Sequence, residues 1–260
     1  MLVGRARHQA GALSAELRKH GAEVIEIPFI EIRKPRSFKP LDSALQNLSA
    51  YDWLILTSVN GVEAMWDRLR KLRLKLHAGD AEGRVRVAAI GPATRKAIEQ
   101  RGTRVDVMPK EYVAESVVRS LKSKVRGKRV LLVRAKIARD VIPQQLRRAG
   151  AHVDVVEAYE TVVPRASRSR LQRVMKNPRR RPHVVTFTSS STVNNFVELL
   201  GAPENSKSRA AQLQGIRAAS IGPVTSATLR QFGLPVQIAA KEFTIPGLVS
   251  AIVSTVARQR

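Results

Sequence analysis

The chain of 260 residues contains no cysteine. Disulfides, thiolate nucleophiles, cysteine-ligated zinc and iron–sulfur clusters are therefore excluded. Aromatic residues make up only 4%, which leaves few platforms for stacking nucleobases. Acids are scarce as well: 21 Asp and Glu stand against 46 Lys and Arg, a formal net charge of +25. No apolar run approaches the roughly 18–20 residues of a membrane helix. The N-terminal Met1-Leu-Val-Gly-Arg-Ala-Arg7 has no long apolar stretch behind its charges, so no secretory signal is read there. A protein of the cytoplasm, without membrane contact, is the expectation. What is present is 43% hydrophobic residues, enough for packed cores and too many for a disordered basic tail. The length suits one large domain or two of roughly 130 residues.

The excess charge points to anionic substrates or partners without saying which. It is clustered. Residues 165–181 hold eight basic side chains and no acid, 119–129 hold six, and 68–75 hold five. These runs read as solvated helix ends and loops lying between apolar-periodic segments. A nucleic-acid stripe is the sharper alternative, weakened because none of the three runs contains Phe, Tyr or Trp.

An internal repeat organises the chain. Val87-Ala-Ala-Ile-Gly-Pro-Ala-Thr94 returns as Ala218-Ala-Ser-Ile-Gly-Pro-Val-Thr225, an offset of 131. At that offset Trp53-Leu-Ile-Leu-Thr-Ser58 matches Val184-Val-Thr-Phe-Thr-Ser189, Gly102 matches Gly233, and Tyr112 matches Phe243. Residues 5–24 match 134–153 at an offset of 129, with Gly21 over Gly150. Each copy alternates strand and helix. Short apolar strands are expected over 1–4 and 130–133, followed by helices closed by Gly21 and Gly150. β-rich segments follow over 24–32 and 153–163, then strands over 52–56 and 183–187. Apolar residues at helical spacing come next: Val62, Met65, Trp66 and Leu69, and Val193, Phe196, Val197 and Leu200. Strands over 85–90 and 218–221 enter Gly-Pro-x-Thr, and further strands over 105–108 and 236–239 lead to last helices over 113–121 and 245–256. Such alternation predicts an α/β fold: parallel sheets flanked by helices on both faces.

In open α/β sheets, ligands sit at the carboxyl ends of the strands. The loops there carry Arg5, Thr57-Ser-Val-Asn60, Gly91-Pro-Ala-Thr94, Arg134, Thr188-Ser-Ser-Ser191 and Gly222-Pro-Val-Thr225. Most open a helix, whose N-terminus offers free N–H groups and a positive dipole end to carboxylates or phosphates. Ordinary N-capping accounts equally well for Ser58, Asn60, Ser190 or Thr225 taken singly. There is no G-x-x-x-x-G-K-[ST], G-x-G-x-x-G or G-x-S-x-G motif. The five histidines, His8, His20, His77, His152 and His183, show no metal-ligand spacing, so no metal is expected. No carboxylate pair recommends itself for acid–base work. A site that binds and shapes its substrate fits better than one rich in reactive side chains. Tyr159, in Val156-Glu-Ala-Tyr-Glu-Thr161, is either a half-buried strand tyrosine or a phenol presented to a ligand.

Taken in order, Ile27-Pro-Phe-Ile-Glu-Ile32, Tyr51-Asp-Trp-Leu-Ile-Leu-Thr-Ser-Val-Asn-Gly61, Ala89-Ile-Gly-Pro-Ala-Thr94, Glu157-Ala-Tyr-Glu-Thr161 and Ser220-Ile-Gly-Pro-Val-Thr225 resemble the uroporphyrinogen-III synthases. The resemblance spans essentially the whole chain. It implies two similar lobes, each a parallel sheet flanked by helices, joined by a two-stranded antiparallel ladder with a cleft between. Carried onto this sequence, lobe one is 1–30 with 164–260 and lobe two is 31–163, with crossings near 30–34 and 158–164. The repeat alone would divide the chain near 130.

The resemblance implies a hydro-lyase reaction without cofactor. Hydroxymethylbilane, a linear tetrapyrrole bearing carboxylates on every ring, loses its terminal hydroxyl as water. The resulting azafulvene attacks the substituted carbon of the last ring, that ring is inverted through a spiro intermediate, and uroporphyrinogen III closes. Tyr159 matches the family's cleft tyrosine, the candidate to assist loss of the hydroxyl. A phenol is protonated at neutral pH and can donate. Thr57, Ser58, Asn60, Gly91, Thr94, Thr161, Ser189, Ser190, Arg217, Gly222 and Thr225 are the candidate substrate-binding residues, together with Arg5 and Arg134 as bidentate carboxylate partners. A monomer is expected, with transient contact to the enzyme that makes hydroxymethylbilane and none with nucleic acid or membrane. The basic stretch 165–181 exceeds what the resemblance implies. Two alternatives stand beside this reading: a basic nucleic-acid-binding protein, and a non-catalytic two-lobe binder of small polyanions.

Overall fold

The computed structural model describes residues 1–76, 85–201 and 213–257, the side chains of residues 7 and 8 excepted. His77 lies outside the described residues. In chain order the elements are β1 (Leu2–Val3), α1 (Arg7–Lys19), β2 (Ile25–Glu26), β3 (Glu31–Arg33), α2 (Lys39–Gln46), β4 (Trp53–Leu56), α3 (Val59–Leu72), β5 (Arg86–Ala89), α4 (Pro92–Glu99) and α5 (Ala114–Leu121). They continue as β6 (Arg129–Ala135), α6 (Val141–Arg148), β7 (His152–Val162), α7 (Ala166–Lys176), β8 (Val184–Phe187), α8 (Ser190–Leu200), β9 (Arg217–Ser220), α9 (Pro223–Gln231), β10 (Val236–Ala239) and α10 (Ile245–Ala257).

The chain divides into two units, Met1–Glu31 with Val162–Arg260, and Ile32–Thr161. The first holds a sheet of order β10-β9-β8-β1-β2; the other sheet has the order β3-β7-β6-β4-β5. Set against the repeat, these orders show an exchange. The first sheet joins β1 and β2 of the first copy to β8, β9 and β10 of the second. The other joins β6 and β7 of the second copy to β4 and β5 of the first. Each sheet therefore borrows one strand–helix–strand from the opposite copy, which is why the repeat boundary and the unit boundary do not coincide.

Strand burial shows why the sheets lie between two helical layers. All four residues of Trp53-Leu-Ile-Leu56 are buried. Alternation sends Leu54 and Leu56 into one core with Val62, Met65 and Leu69 of α3. Trp53 and Ile55 enter the other, with Val117 of α5 and Leu146 of α6. In the first unit Leu2, Val185 and Phe187 join Leu171, Phe196 and Leu229. Val3 and Val184 turn the opposite way, to Leu13, Leu17 and Leu248. Phe29, Phe187 and Phe196 form a ring cluster with centroids 4.9–6.2 Å apart. Gly21 and Gly150, with φ of 78° and 87°, turn the chain out of α1 and α6 in the left-handed region.

Two expectations are corrected and one is refined. The β-rich segment 24–32 is interrupted. It forms β2 and β3, which belong to different sheets and are separated by Ile27–Ile30. The segment 105–108 forms no strand, only a bridge between Val107 and Ala88. There the Asp106 carboxylate accepts the Val87 N–H at 2.7 Å and so takes a position in the ladder. The second copy repeats this at the same offset, where Gln237 Oε1 accepts the Ala218 N–H at 2.8 Å. There β10 survives, with an irregularity in its register at that residue. Finally, 165–181 is more than helix ends and loops between apolar-periodic segments. Its first two-thirds form α7, held by Ser167, Leu171 and Met175, which recur four apart on the buried side.

Candidate functional site

In the unit of residues 32–161, the carboxyl ends of β4, β6 and β7 bring three candidates together. Ser58 caps α3, its Oγ accepting the Gly61 N–H at 3.0 Å. A side chain at Gly61 would meet Ser58 Oγ at 3.3 Å and the Val133 carbonyl at 3.7 Å, so glycine allows the helix to start this close to β6. The same Oγ lies 2.9 Å from the Tyr159 hydroxyl. The Asn60 side chain also hydrogen-bonds that hydroxyl.

Tyr159 reaches this place through a bulge. Arg134 pairs with Glu157 but Ala135 pairs with Tyr159, so β7 has one more residue than its partner between these points. Alternation slips there, and the adjacent Ala158 and Tyr159 are both buried. Burial pushes the phenol's pKa up; the bonds from Ser58 and Asn60 pull it down by less. The result is a tyrosine that stays protonated while its oxygen is held from two sides.

Arg134, expected to meet a carboxylate, is engaged inside its own unit. Its guanidinium donates to the Arg139 carbonyl at 3.1 Å and to Asp140 Oδ1 at 2.6 Å. It thereby ties down the loop before α6. Gly91 caps α4 in extended backbone, beneath the ring of Tyr112, which a side chain at Gly91 would meet at 3.3 Å. Thr94 is buried in the first turn of α4, while Thr57 and Thr161 are half-buried at the ends of β4 and β7.

The unit containing residues 1–31 repeats the arrangement without a tyrosine. Ser189 caps α8 and exchanges hydrogen bonds with Thr192 in a capping box. Ser190 Oγ accepts from Thr228 Oγ1 at 2.8 Å, linking α8 to α9. Gly222 caps α9 beneath Phe243, and Thr225 is buried in the first turn. Ser226 Oγ donates to Ser220 Oγ at 2.9 Å, and Ser220 Oγ donates to the Gly222 carbonyl at 3.0 Å, which pins the loop. Parallel pairing of Leu2 with Val185 and Val3 with Thr186 places Arg5 level with the residues that enter α8. Arg5 is half-buried and its pKa is lowered by burial alone, with no carboxylate offsetting it. A desolvated cation at the mouth of a helix N-terminus suits an incoming anion. Arg217 opens β9 and is half-buried.

The family model described as Uroporphyrinogen-III synthase HemD matches residues 11–250. The chain belongs to the uroporphyrinogen-III synthase family. It is 36% identical to the uroporphyrinogen-III synthase of Synechococcus elongatus, over 97% of this chain and 93% of that protein. It is 28% identical to that of Chlorobaculum parvum over 97% of each. A crystal structure of a mutant uroporphyrinogen III synthase from the extremely thermophilic bacterium Thermus thermophilus superposes with a TM-score of 0.72, at 17% identity, covering 99% of this chain and 98% of that one. That likeness shows the two-lobed α/β fold of the family. Among the described residues, no group of three His, Cys, Asp or Glu side chains is placed to hold a metal ion, and no helix is long and apolar enough to cross a membrane.

Sequence reasoning nominated the capping residues of this family member but missed three features. They are the Glu157–Ala158 bulge that aims Tyr159, the engagement of Arg134 by Asp140, and the rings of Tyr112 and Phe243 over the two Gly-Pro loops. The last had a signal, since these aromatics match at the repeat offset. The bulge had none.

Proposed function

We propose that this protein is a hydro-lyase that converts hydroxymethylbilane into uroporphyrinogen III. Family membership across nearly the whole chain supports the reaction, and the Ser58–Tyr159 contact of 2.9 Å is the observation that supports its first step. Tyr159 donates its proton to the terminal hydroxyl of the substrate as the carbon–oxygen bond breaks. Water leaves, and the pyrrole nitrogen supplies the electron pair that makes the azafulvene. Attack on the substituted carbon of the last ring gives the spiro intermediate, and the inverted ring closes the macrocycle. The proton lost from that ring as it regains aromaticity balances the one that left with water. Ser58 and Asn60 hold the phenol oxygen and favour its ionised form, so they stabilise the negative charge that develops as the proton is transferred.

Of the remaining candidates, those at the helix starts and Arg5 bind carboxylates, whereas Arg134 is committed to Asp140 and Arg217 stands at the amino end of β9. Free N–H groups at the starts of α3, α4, α8 and α9, with the Arg5 guanidinium, supply donors and positive potential. Their task is to hold a flexible chain in the conformation that favours inversion over direct closure, which is catalysis by orientation.

The test is isomer analysis. Folded protein supplied with hydroxymethylbilane should shift the product from type I to type III. Type I alone would overturn the proposal, and tight tetrapyrrole binding without an isomer change would leave a binder in place of an enzyme.

A further inference from the structure

The basic segment 165–181 holds none of the candidate site residues, and it forms one wall of a groove along the open edge of the first unit's sheet. The groove has a volume of about 620 Å³ and is lined by Arg18, Val24, Ile25, Glu26, Arg170, Arg173 and Arg180 among others. β2 is the last strand of that sheet. Ile25 and Ile27 donate their N–H groups to the Met1 and Val3 carbonyls, so alternation turns the backbone of Val24 and Glu26 to the open side. Arg18 extends from α1, which packs on one face of the sheet, and α7 packs on the other.

Five cations of the other two basic runs are held in ion pairs. Arg68 pairs with Asp42, Arg70 with Asp67, Arg119 with Glu111, Lys128 with Asp52 and Arg129 with Asp154. Arg170, Arg173 and Arg180 are exposed and make no ion pair or side-chain hydrogen bond among the described residues. Of the two acids in the groove, Glu26 is held by Arg18 at 3.1 Å.

We propose that this groove docks an acidic, extended peptide segment of a partner protein. The segment runs beside Val24–Glu26, with carboxylates on alternate residues meeting Arg170, Arg173 and Arg180. Alternate side chains of a strand recur about every 6.6–6.8 Å, close to the ~5–6 Å between neighbours three apart on a helix, as Arg170 and Arg173 are on α7, while Arg180 lies beyond its end. Guanidinium forks bind carboxylates bidentately, and open strand backbone accepts a further strand. The apolar part of its lining is aliphatic, Val24, Ile25 and Val174, and offers no ring on which nucleobases could stack. Pro28 lacks an N–H, which confines strand addition to the residues before it and leaves affinity resting on charge.

The experiment uses the full chain and a fluorescein-labelled decapeptide of alternating Glu and Val, read by anisotropy. Arg170→Glu with Arg173→Glu should weaken binding at least tenfold. Lys122→Glu with Lys124→Glu, an equal charge change on another basic run, should alter it less than twofold. The amides of Val24 and Glu26 should shift in NMR spectra on titration, and type III formation should be the same in both variants. Equal weakening in the two variants, unshifted amides, no binding by a folded wild type, or tighter binding of a ten-base oligothymidylate in the same groove would each overturn the proposal.

Discussion

Ser58 Oγ bonds both the Tyr159 hydroxyl, at 2.9 Å, and the Gly61 N–H, at 3.0 Å. One side chain therefore begins α3 and orients the phenol. Tyr159→Phe removes the acid and leaves the ring in its packing. Turnover should fall about a hundredfold, within the range for a lost general acid. The urea midpoint should change little. Full activity in a folded Tyr159→Phe protein would remove the acid role. Ser58→Ala should slow turnover less but cost about 1 kcal/mol of stability through the lost cap.

The pKa of Tyr159 makes a directional prediction. Burial raises it, and the bonds from Ser58 and Asn60 lower it by less. The working form is protonated, so the alkaline fall in turnover should lie above the ordinary phenol value of about 10. Asn60→Ala removes a bond that favours the phenolate and should move the limb higher still. Initial rates after brief pH jumps, with tyrosinate absorbance of wild type minus Tyr159→Phe as a second reading, would decide it. A limb that moves down contradicts the assignment.

Tyr51 carries the larger shift, and its consequence is for stability. Burial first, then its hydrogen bond of 2.8 Å to Asp154 and that carboxylate's charge, push its pKa up to about 12. The folded state thus holds the proton more tightly than the unfolded one. Its contribution is complete below about pH 10 and is lost as pH rises through the folded value. Tyr51→Phe should lower stability by about 1 kcal/mol near neutrality, where the hydrogen bond is lost. It should also flatten the decline between pH 10 and 12. Urea midpoints across that range are the measurement.

The repeat was legible because Ile-Gly-Pro-x-Thr must be spelled out to build a strand end, a glycine cap and a proline at the first helical turn. The exchange of strands between copies was not, since sequence order says nothing of which strands are neighbours. Asp106 looked like one polar residue within a strand, and only the sheet shows its carboxylate occupying a ladder position. α7 was hidden by its charge: with Leu171 and Met175 the main apolar anchors, the helix rests on a narrow stripe. At the site, the capping serines follow from their spacing, whereas the aim of Tyr159 depends on a bulge set by pairing with a distant strand.

The two Gly-Pro loops offer a test of packing at the same place in each copy. Gly91 and Gly222 have φ of −163° and −177°, extended backbone that any residue adopts, so alanine there causes no backbone strain. The cost lies in the contact. An added methyl would meet Cβ and Cγ of Tyr112, or Cδ1 of Phe243, at 3.3 Å, and the neighbour must yield by a few tenths of an ångström. Each ring is more than a third exposed, at 37% and 41%, so it can yield towards solvent. Gly91→Ala and Gly222→Ala should therefore each cost about 1 kcal/mol, at the low end of overpacking. Gly222→Ala made on Phe243→Ala should cost almost nothing, a coupling that a double-mutant cycle reads directly, whereas Tyr112→Ala keeps the Cβ that an added methyl at Gly91 would meet at 3.3 Å and should relieve only part of the cost. Additive losses in the cycle would show that the rings do not roof the loops. If type III formation falls with ring removal while the urea midpoint recovers, the rings position the loop N–H groups as well as pack against them.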